Sequence, residues 1–161
     1  MKDNVSIKRL TTLHPKLRSE VAEILIEAEK NNVGIRITSA FRTPQEQDAL
    51  FAQGRTSDGN VVTNAAAWQS YHNYGLAVDI CLLHKDGSIS YSATEDLDGD
   101  KVSDWDEVTR IFKNRGWEWA GDWKTFRERP HYQKTFGYNL GTLKKSVLVD
   151  KNLIEDKYPK I

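Results

Sequence analysis

The apolar residues of this chain change rhythm along its length, and each change marks an element. From Pro15 to about Asn32, Leu17, Val21, Ile24, Leu25 and Ala28 recur at helical spacing, and Asn31, Asn32 and Gly34 end the run. Ile35, Ile37, Ser39 and Phe41 then alternate with Arg36, Thr38 and Ala40, the mark of a half-buried strand. Thr43-Pro44-Gln45-Glu46 reads as a capping box with proline at the first helical position, and Gly54 closes that helix. Thr, Ser, Asp, Gly and Asn punctuate residues 55–69, which predict a long loop. Leu76 to Ile80 predicts a buried strand running on to about Leu83, and Lys85-Asp86-Gly87-Ser88 is a turn into Ile89-Ser90-Tyr91. Trp105, Val108, Ile111 and Phe112 predict a helix stopped by Gly116, and Tyr132 to Phe136 a final strand. Residues 1–14 read as a short lead-in, with His14 a surface or capping residue. Residues 139–161 read as a charged tail, a packing helix with a loose end.

Length and charge narrow the class. At 161 residues the chain suits one domain, 1–161, with a core at about 15–138. A chain of this size buries roughly 68–70% of its unfolded surface. Lys plus Arg and Asp plus Glu are 23 each, so no basic excess favours nucleic acid or an anionic membrane. The start, Met1 to Leu10, lacks the apolar core of a signal peptide, and no run approaches a membrane span. The expectation is a monomer made in the cytoplasm without membrane insertion. The lone Cys81 excludes an internal disulfide and reads as a small buried thiol. Trp117, Trp119 and Trp123 read as core with one edge left for a groove wall.

Against this background the stretch Ser70 to Ile80 is unusual, because it sets an acid, Asp79, inside an apolar strand a short way after His72. An isolated buried carboxylate is very costly, so Asp79 needs a cation. An arginine would serve, with His72 an unrelated surface residue, and the stretch alone leaves that reading level with a metal site. Glu128-Arg129-Pro130-His131 adds a second histidine with an acid three positions earlier. Two imidazoles, one carboxylate and a nearby second acid match the ligand set and general base of a catalytic zinc site.

Ser70-x-His72, Asp79 and Glu128-x-x-His131 together resemble the signature of the M15 zinc peptidases, over about Ile35 to Phe136. The family includes D-Ala-D-Ala peptidases and the L-alanyl-D-glutamate endopeptidases of phage endolysins and bacterial wall hydrolases, and the resemblance is closest to the endopeptidases. It implies an α+β fold with a small antiparallel sheet flanked by helices, of the hedgehog/DD-peptidase-like zinc peptidase type. It further implies zinc on His72, Asp79 and His131, with Glu128 as general base and Arg42 facing the substrate carbonyl or carboxylate. Gln47 also matches the family pattern, and Ser70 either orients a ligand or binds peptide. The substrate implied is the peptidoglycan stem peptide, reached after release or export by another factor. The alternatives are a D-Ala-D-Ala carboxypeptidase or dipeptidase, and a non-catalytic metal-stabilised module that binds the wall.

A second acidic pattern stands apart from this signature. Asp96, Asp98, Asp100, Asp104 and Glu107 occupy positions 1, 3, 5, 9 and 12 of an EF-hand-like calcium loop, with the Val102 carbonyl at position 7. Position 6, usually glycine, is Lys101. The other reading is a solvated acidic loop that caps the next helix through Ser103 and Asp106, and the two are compatible. Calcium here would be structural or regulatory.

Overall fold

The computed structural model describes residues 3–161. Its elements are helices α1 (Asn4–Leu10), α2 (Pro15–Lys30), α3 (Pro44–Ala52), α4 (Asp104–Asn114) and α5 (Leu140–Lys145), with strands β1 (Ile35–Ser39), β2 (Ala77–Leu83), β3 (Ile89–Ser90), β4 (Glu118–Trp119), β5 (His131–Gln133), β6 (Leu153–Ile154) and β7 (Tyr158–Pro159). Five strands form one antiparallel sheet in the order β1-β2-β5-β4, with β3 hairpinned onto β2. The fold is therefore α+β, a small antiparallel sheet flanked by helices. No helix is long and apolar enough to cross a membrane among the described residues.

Strand alternation gives the sheet two faces with different work. Val78, Ile80 and Leu82 of β2 and Tyr132 of β5 join Leu17, Val21 and Ile24 of α2 and Val108 and Phe112 of α4 in the core cluster. Phe112 stacks on Tyr132 with ring centroids 4.3 Å apart. The intervening residues, Asp79 on β2 and His131 and Gln133 on β5, lie on the other face. Helix α2 forms where the periodicity predicts it, and all five of its predicted apolar positions are buried.

Residues 4–10 depart from the predicted lead-in, since they form α1. Asp3 caps that helix by accepting from the Ser6 backbone N–H. Ser6 and Arg9 of α1 in turn serve Ile37 on edge strand β1: Ser6 Oγ accepts from the Ile37 N–H and Arg9 donates to the Ile37 carbonyl. The helix thus covers an edge that would otherwise present unpaired backbone groups. The seven-residue helix is too short for its periodicity to have shown in the sequence.

The tail also departs from expectation. After α5 the chain makes a wide π-type turn at Ser146–Asp150 and returns as the β6–β7 hairpin. Tyr158 is wholly buried and donates to the Thr12 carbonyl. His14 caps α2 as expected, with Nδ1 accepting from the Lys16 N–H, yet it is buried rather than on the surface. Its Nε2–H donates to the Pro159 carbonyl. The last sheet strand ends at Gln133, short of the predicted Phe136.

Gly75 ties these segments together. It ends the 3₁₀ turn Tyr71–Tyr74 in the left-handed conformation, at φ +70°. A Cβ there would meet the His14 nitrogen at 2.6 Å and the Tyr158 ring at 2.9 Å. Gly75→Ala should destabilise the protein by about 1–3 kcal/mol from backbone strain alone, measured by urea unfolding, with the clash adding to it. A change under about 0.5 kcal/mol, the range of an unconstrained surface substitution, would show that the tail is not seated against this turn.

Candidate active site

Sheet register brings the acid and one histidine together. Asp79 lies opposite His131 across β2 and β5, and opposite Ser39 across β1 and β2, just past a slip in that register. The second histidine arrives on the 3₁₀ turn that Ser70 opens by accepting from the His72 N–H. His72 Nε2, Asp79 Oδ1 and His131 Nδ1 then form a triangle with edges of 3.1, 3.0 and 3.2 Å. Tetrahedral zinc at 2.0–2.1 Å would set such donors roughly 3.3 Å apart. The triangle can hold one metal ion.

Each histidine presents its inward nitrogen because the outward one is engaged. His72 Nδ1–H donates to the Ala40 carbonyl at 2.6 Å, leaving Nε2 for the centre. His131 does the reverse, with Nε2 against Gln133 Oε1 at 3.1 Å and Nδ1 toward Asp79. Without a metal, burial would raise the Asp79 carboxyl, but in acid, where His72 and His131 also carry protons on their inward nitrogens, their charges and hydrogen bonds hold it well below the usual 3.8. Burial lowers His72 despite Asp79 nearby. For His131 burial is outweighed by the hydrogen bonds and charge around it, chiefly those of Asp79, which raise it.

Arg42 reaches the same carboxylate from the other side. It donates to Asp79 Oδ2 at 3.4 Å, Ser39 Oγ at 3.0 Å and Gln47 Oε1 at 2.9 Å. Three of its five N–H donors are thus engaged. Gln47 is fully buried and donates onward to the Ala65 carbonyl, so it joins Arg42 to the 55–69 loop. Glu128 stands outside the triangle, its Oε2 4.0 Å from His131 Nδ1. Burial, aided by the Asp79 charge, raises its carboxyl above the usual 4.5, against the pull of His131 and Arg42.

A cleft of about 840 Å³ opens over this group. Arg42, Ser70, His72, Asp79, Glu128 and His131 all line it, and the 55–69 loop contributes Val62 to Ala65 and Gln69. Aromatic walls come from Tyr71, Tyr91, Trp123 and Phe126. Trp117 is core and Trp123 is groove, the division expected of that cluster. His14 and His84 take no part: His14 caps α2, and His84 lies 3.2 Å from Glu95. Gln133 was not foreseen from the sequence, although its place two residues after His131 puts both on one strand face.

The acidic loop forms two overlapping clusters, Asp96 with Asp98 and Asp104, and Asp98 with Asp100 and Glu107. Ser103 caps α4 by accepting from the Asp106 N–H, so the capping role is present as well.

The depressed Asp79 carboxyl gives a signed expectation for metal-free protein. Its stabilising effect is full above the unfolded value of 3.8 and is lost as pH falls through the lower folded value. Thermal unfolding of chelator-treated wild type should therefore fall more steeply with acid below that pH than unfolding of Asp79→Asn. Parallel profiles would contradict the charge pairing described.

The M15 peptidase family model described as D-alanyl-D-alanine carboxypeptidase matches residues 63–134. Peptidoglycan L-alanyl-D-glutamate endopeptidase CwlK of Bacillus subtilis is 45% identical over 121 residues, 75% of this chain and 72% of that protein. The L-alanyl-D-glutamate peptidase of Listeria phage A118 is 26% identical over 141 residues, 87% of this chain but 44% of the phage protein. The L-Ala D-Glu endopeptidase ChiX of Serratia marcescens shares the fold, with TM-score 0.52 and 24% identity over 83% of this chain and 88% of that one. With the CwlK match extending over most of both proteins, the chain belongs to the M15 family of peptidases.

Proposed function

We propose that this peptidase is a zinc-dependent endopeptidase that cleaves the L-Ala–D-Glu bond of the peptidoglycan stem peptide. The observation that carries the reading is the donor triangle of His72, Asp79 and His131 with Glu128 beside it, all facing one open cleft. The activities named for CwlK and the phage peptidase point to the same bond. The chain acts as one domain in this reading, because Leu143 and Val147 of the tail belong to the same core cluster as the sheet. Its place of action is the cell wall.

The donor set of two imidazoles and a carboxylate suits zinc, whose bound state supplies Lewis acidity for the scissile carbonyl and for water. The chain's own residues supply the rest. Glu128 is the general base: its raised carboxyl takes a proton from water in the cleft and returns it to the departing amine. Arg42 holds Asp79 in place through Oδ2 and offers its remaining N–H donors to the developing oxyanion. Ser70 orients His72 by capping its turn, and Trp123 and Phe126 give the peptide apolar walls.

Digestion of purified peptidoglycan with mass analysis tests the bond. New N-terminal D-Glu, lost on chelation, is the expected result. Release of terminal D-Ala would instead support the carboxypeptidase reading, and intact wall the non-catalytic module. Glu128→Gln should keep stoichiometric zinc and a near-normal melting temperature yet lose about 10²–10⁴ in turnover. Wild-type activity in that variant would pass the role to another acid.

The same reading gives the acidic loop to calcium, held by Asp96, Asp98, Asp100, Asp104, Glu107 and the Val102 carbonyl. Asp104 is 1% exposed, yet its Oδ2 has no partner, and Glu107 Oε2 is likewise buried and unpaired. Burial and the neighbouring acids raise both carboxyls, the mark of charges awaiting a cation. Lys101 stands at φ +75°, so it makes the turn that glycine makes at this position. Calcium should raise the melting temperature, and Asp98→Ala with Asp100→Ala should abolish that rise while zinc content stays unchanged. Calorimetry showing no uptake at millimolar calcium would refute it.

A further inference from the structure

One hydrogen-bonded chain leaves the triangle and ends at the protein surface. His131 Nε2 meets Gln133 Oε1 at 3.1 Å, and Gln133 Nε2 donates to Glu118 Oε2 at 2.9 Å. Sheet geometry builds it, since Gln133 shares a face with His131 on β5 and lies opposite Glu118 across β4 and β5. His131 and Gln133 are buried, and Glu118 is exposed.

Donor and acceptor identities along the chain are forced from its outer end. A carboxylate only accepts, so Gln133 must present its NH₂ to Glu118 and its carbonyl oxygen to His131. That oxygen can pair only with an N–H, so His131 carries its proton on Nε2. In the neutral ring Nδ1 is left as a lone pair, 3.0 Å from Asp79 and 3.2 Å from the His72 nitrogen. His72 needs no such chain, because a backbone carbonyl fixes its tautomer directly. Near His131 a side-chain amide does that work, and its own orientation is free unless a third group sets it.

We propose that Gln133 and Glu118 are positioning residues that hold His131 in its Nδ1-ligating tautomer, with the Glu118 carboxylate orienting and polarising the Gln133 amide. The proposal rests on the metal reading of the triangle. Groups that orient a ligating histidine typically change metal affinity by about 10–100-fold when removed.

Competition with a chromophoric zinc chelator measures the affinity, and ¹⁵N shifts of the His131 ring in metal-free protein, taken at alkaline pH where the ring is neutral, report the tautomer. Gln133→Leu, close in size but without polar atoms, should weaken zinc by about 10–100-fold and abolish the pure Nε2–H signature. Gln133→Glu combined with Glu118→Gln, which keeps an acceptor for that N–H and a donor toward the acceptor, should restore most of the affinity. Glu118→Gln, at an exposed site, should leave the metal-free melting temperature unchanged while producing a smaller loss of affinity. Its amide can present either end to Gln133, so the orienting signal is weakened rather than removed.

Zinc affinity within twofold of wild type in both Gln133→Leu and Glu118→Gln, with the tautomer unchanged, would overturn the proposal. If Gln133→Leu does not fold, Glu118→Gln decides on the same two measurements. A wild type that binds no zinc would overturn the metal reading instead, and the ring shifts would still judge the tautomer. A merely structural role for Gln133 would move the melting temperature but not the ¹⁵N signature.

Discussion

A carboxylate on the second strand of the sheet is the constraint from which the site follows. Asp79 sits on β2, flanked by β1 and β5 at the floor of the cleft, where its side chain is only 22% exposed and an unpaired charge is costly. Each surrounding element answers that cost. β5 supplies His131 directly across the ladder, the Ser70 turn supplies His72, and the segment after β1 supplies Arg42. Two imidazoles share one oxygen, and the guanidinium takes the other. The acid that destabilises an apolar strand is thus also what gathers two histidines far apart in sequence.

Convergence alone does not aim the rings, because a histidine can present either nitrogen. The site resolves this twice by different means. His72 is set by a main-chain carbonyl, which cannot rotate away, and His131 by a side-chain amide. The turn bearing His72 is fixed from behind as well, since Gly75 lies against His14 and Tyr158. The tail therefore belongs to the support of the site although it lines no part of the triangle. Its burial of Tyr158 and its contacts to His14 are tertiary, which is why a mixed and charged stretch read as loose.

What was legible in the sequence divides along the same line. Helix α2, the capping box at Thr43 and the strand through Asp79 are written in local periodicity and capping, and they form where expected. His72, Asp79, Glu128 and His131 were recognisable as a set because their residue types and spacing are uncommon together. Helix α1 was not legible, because its anchorage is a serine and an arginine serving the backbone of a strand distant in sequence. Gln133 and Glu118 were hidden for a related reason. A polar residue in a strand carries no sign of what lies across the ladder, and only the pairing of β4 with β5 joins the two.

That pairing also explains why core and site cannot be separated. Along β5, His131 and Gln133 point to the cleft face while Tyr132 between them points to the core. A slip of one residue would exchange those faces and lose every interaction at once. Tyr132 prevents it: the ring stacks on Phe112, and its hydroxyl meets Thr109 Oγ1 at 2.7 Å within the core. Phe112 and Thr109 both lie on α4, the helix that begins at the acidic loop. The helix that fixes the register of β5 is therefore itself anchored at the loop, where Asp104 is its first residue. Thr109 and Phe112 of α4 thus lie between the acidic loop and Tyr132, the neighbour of His131 on β5. The register that sets Asp79 opposite His131 is thus fixed from the opposite face of the sheet, by the packing of Tyr132.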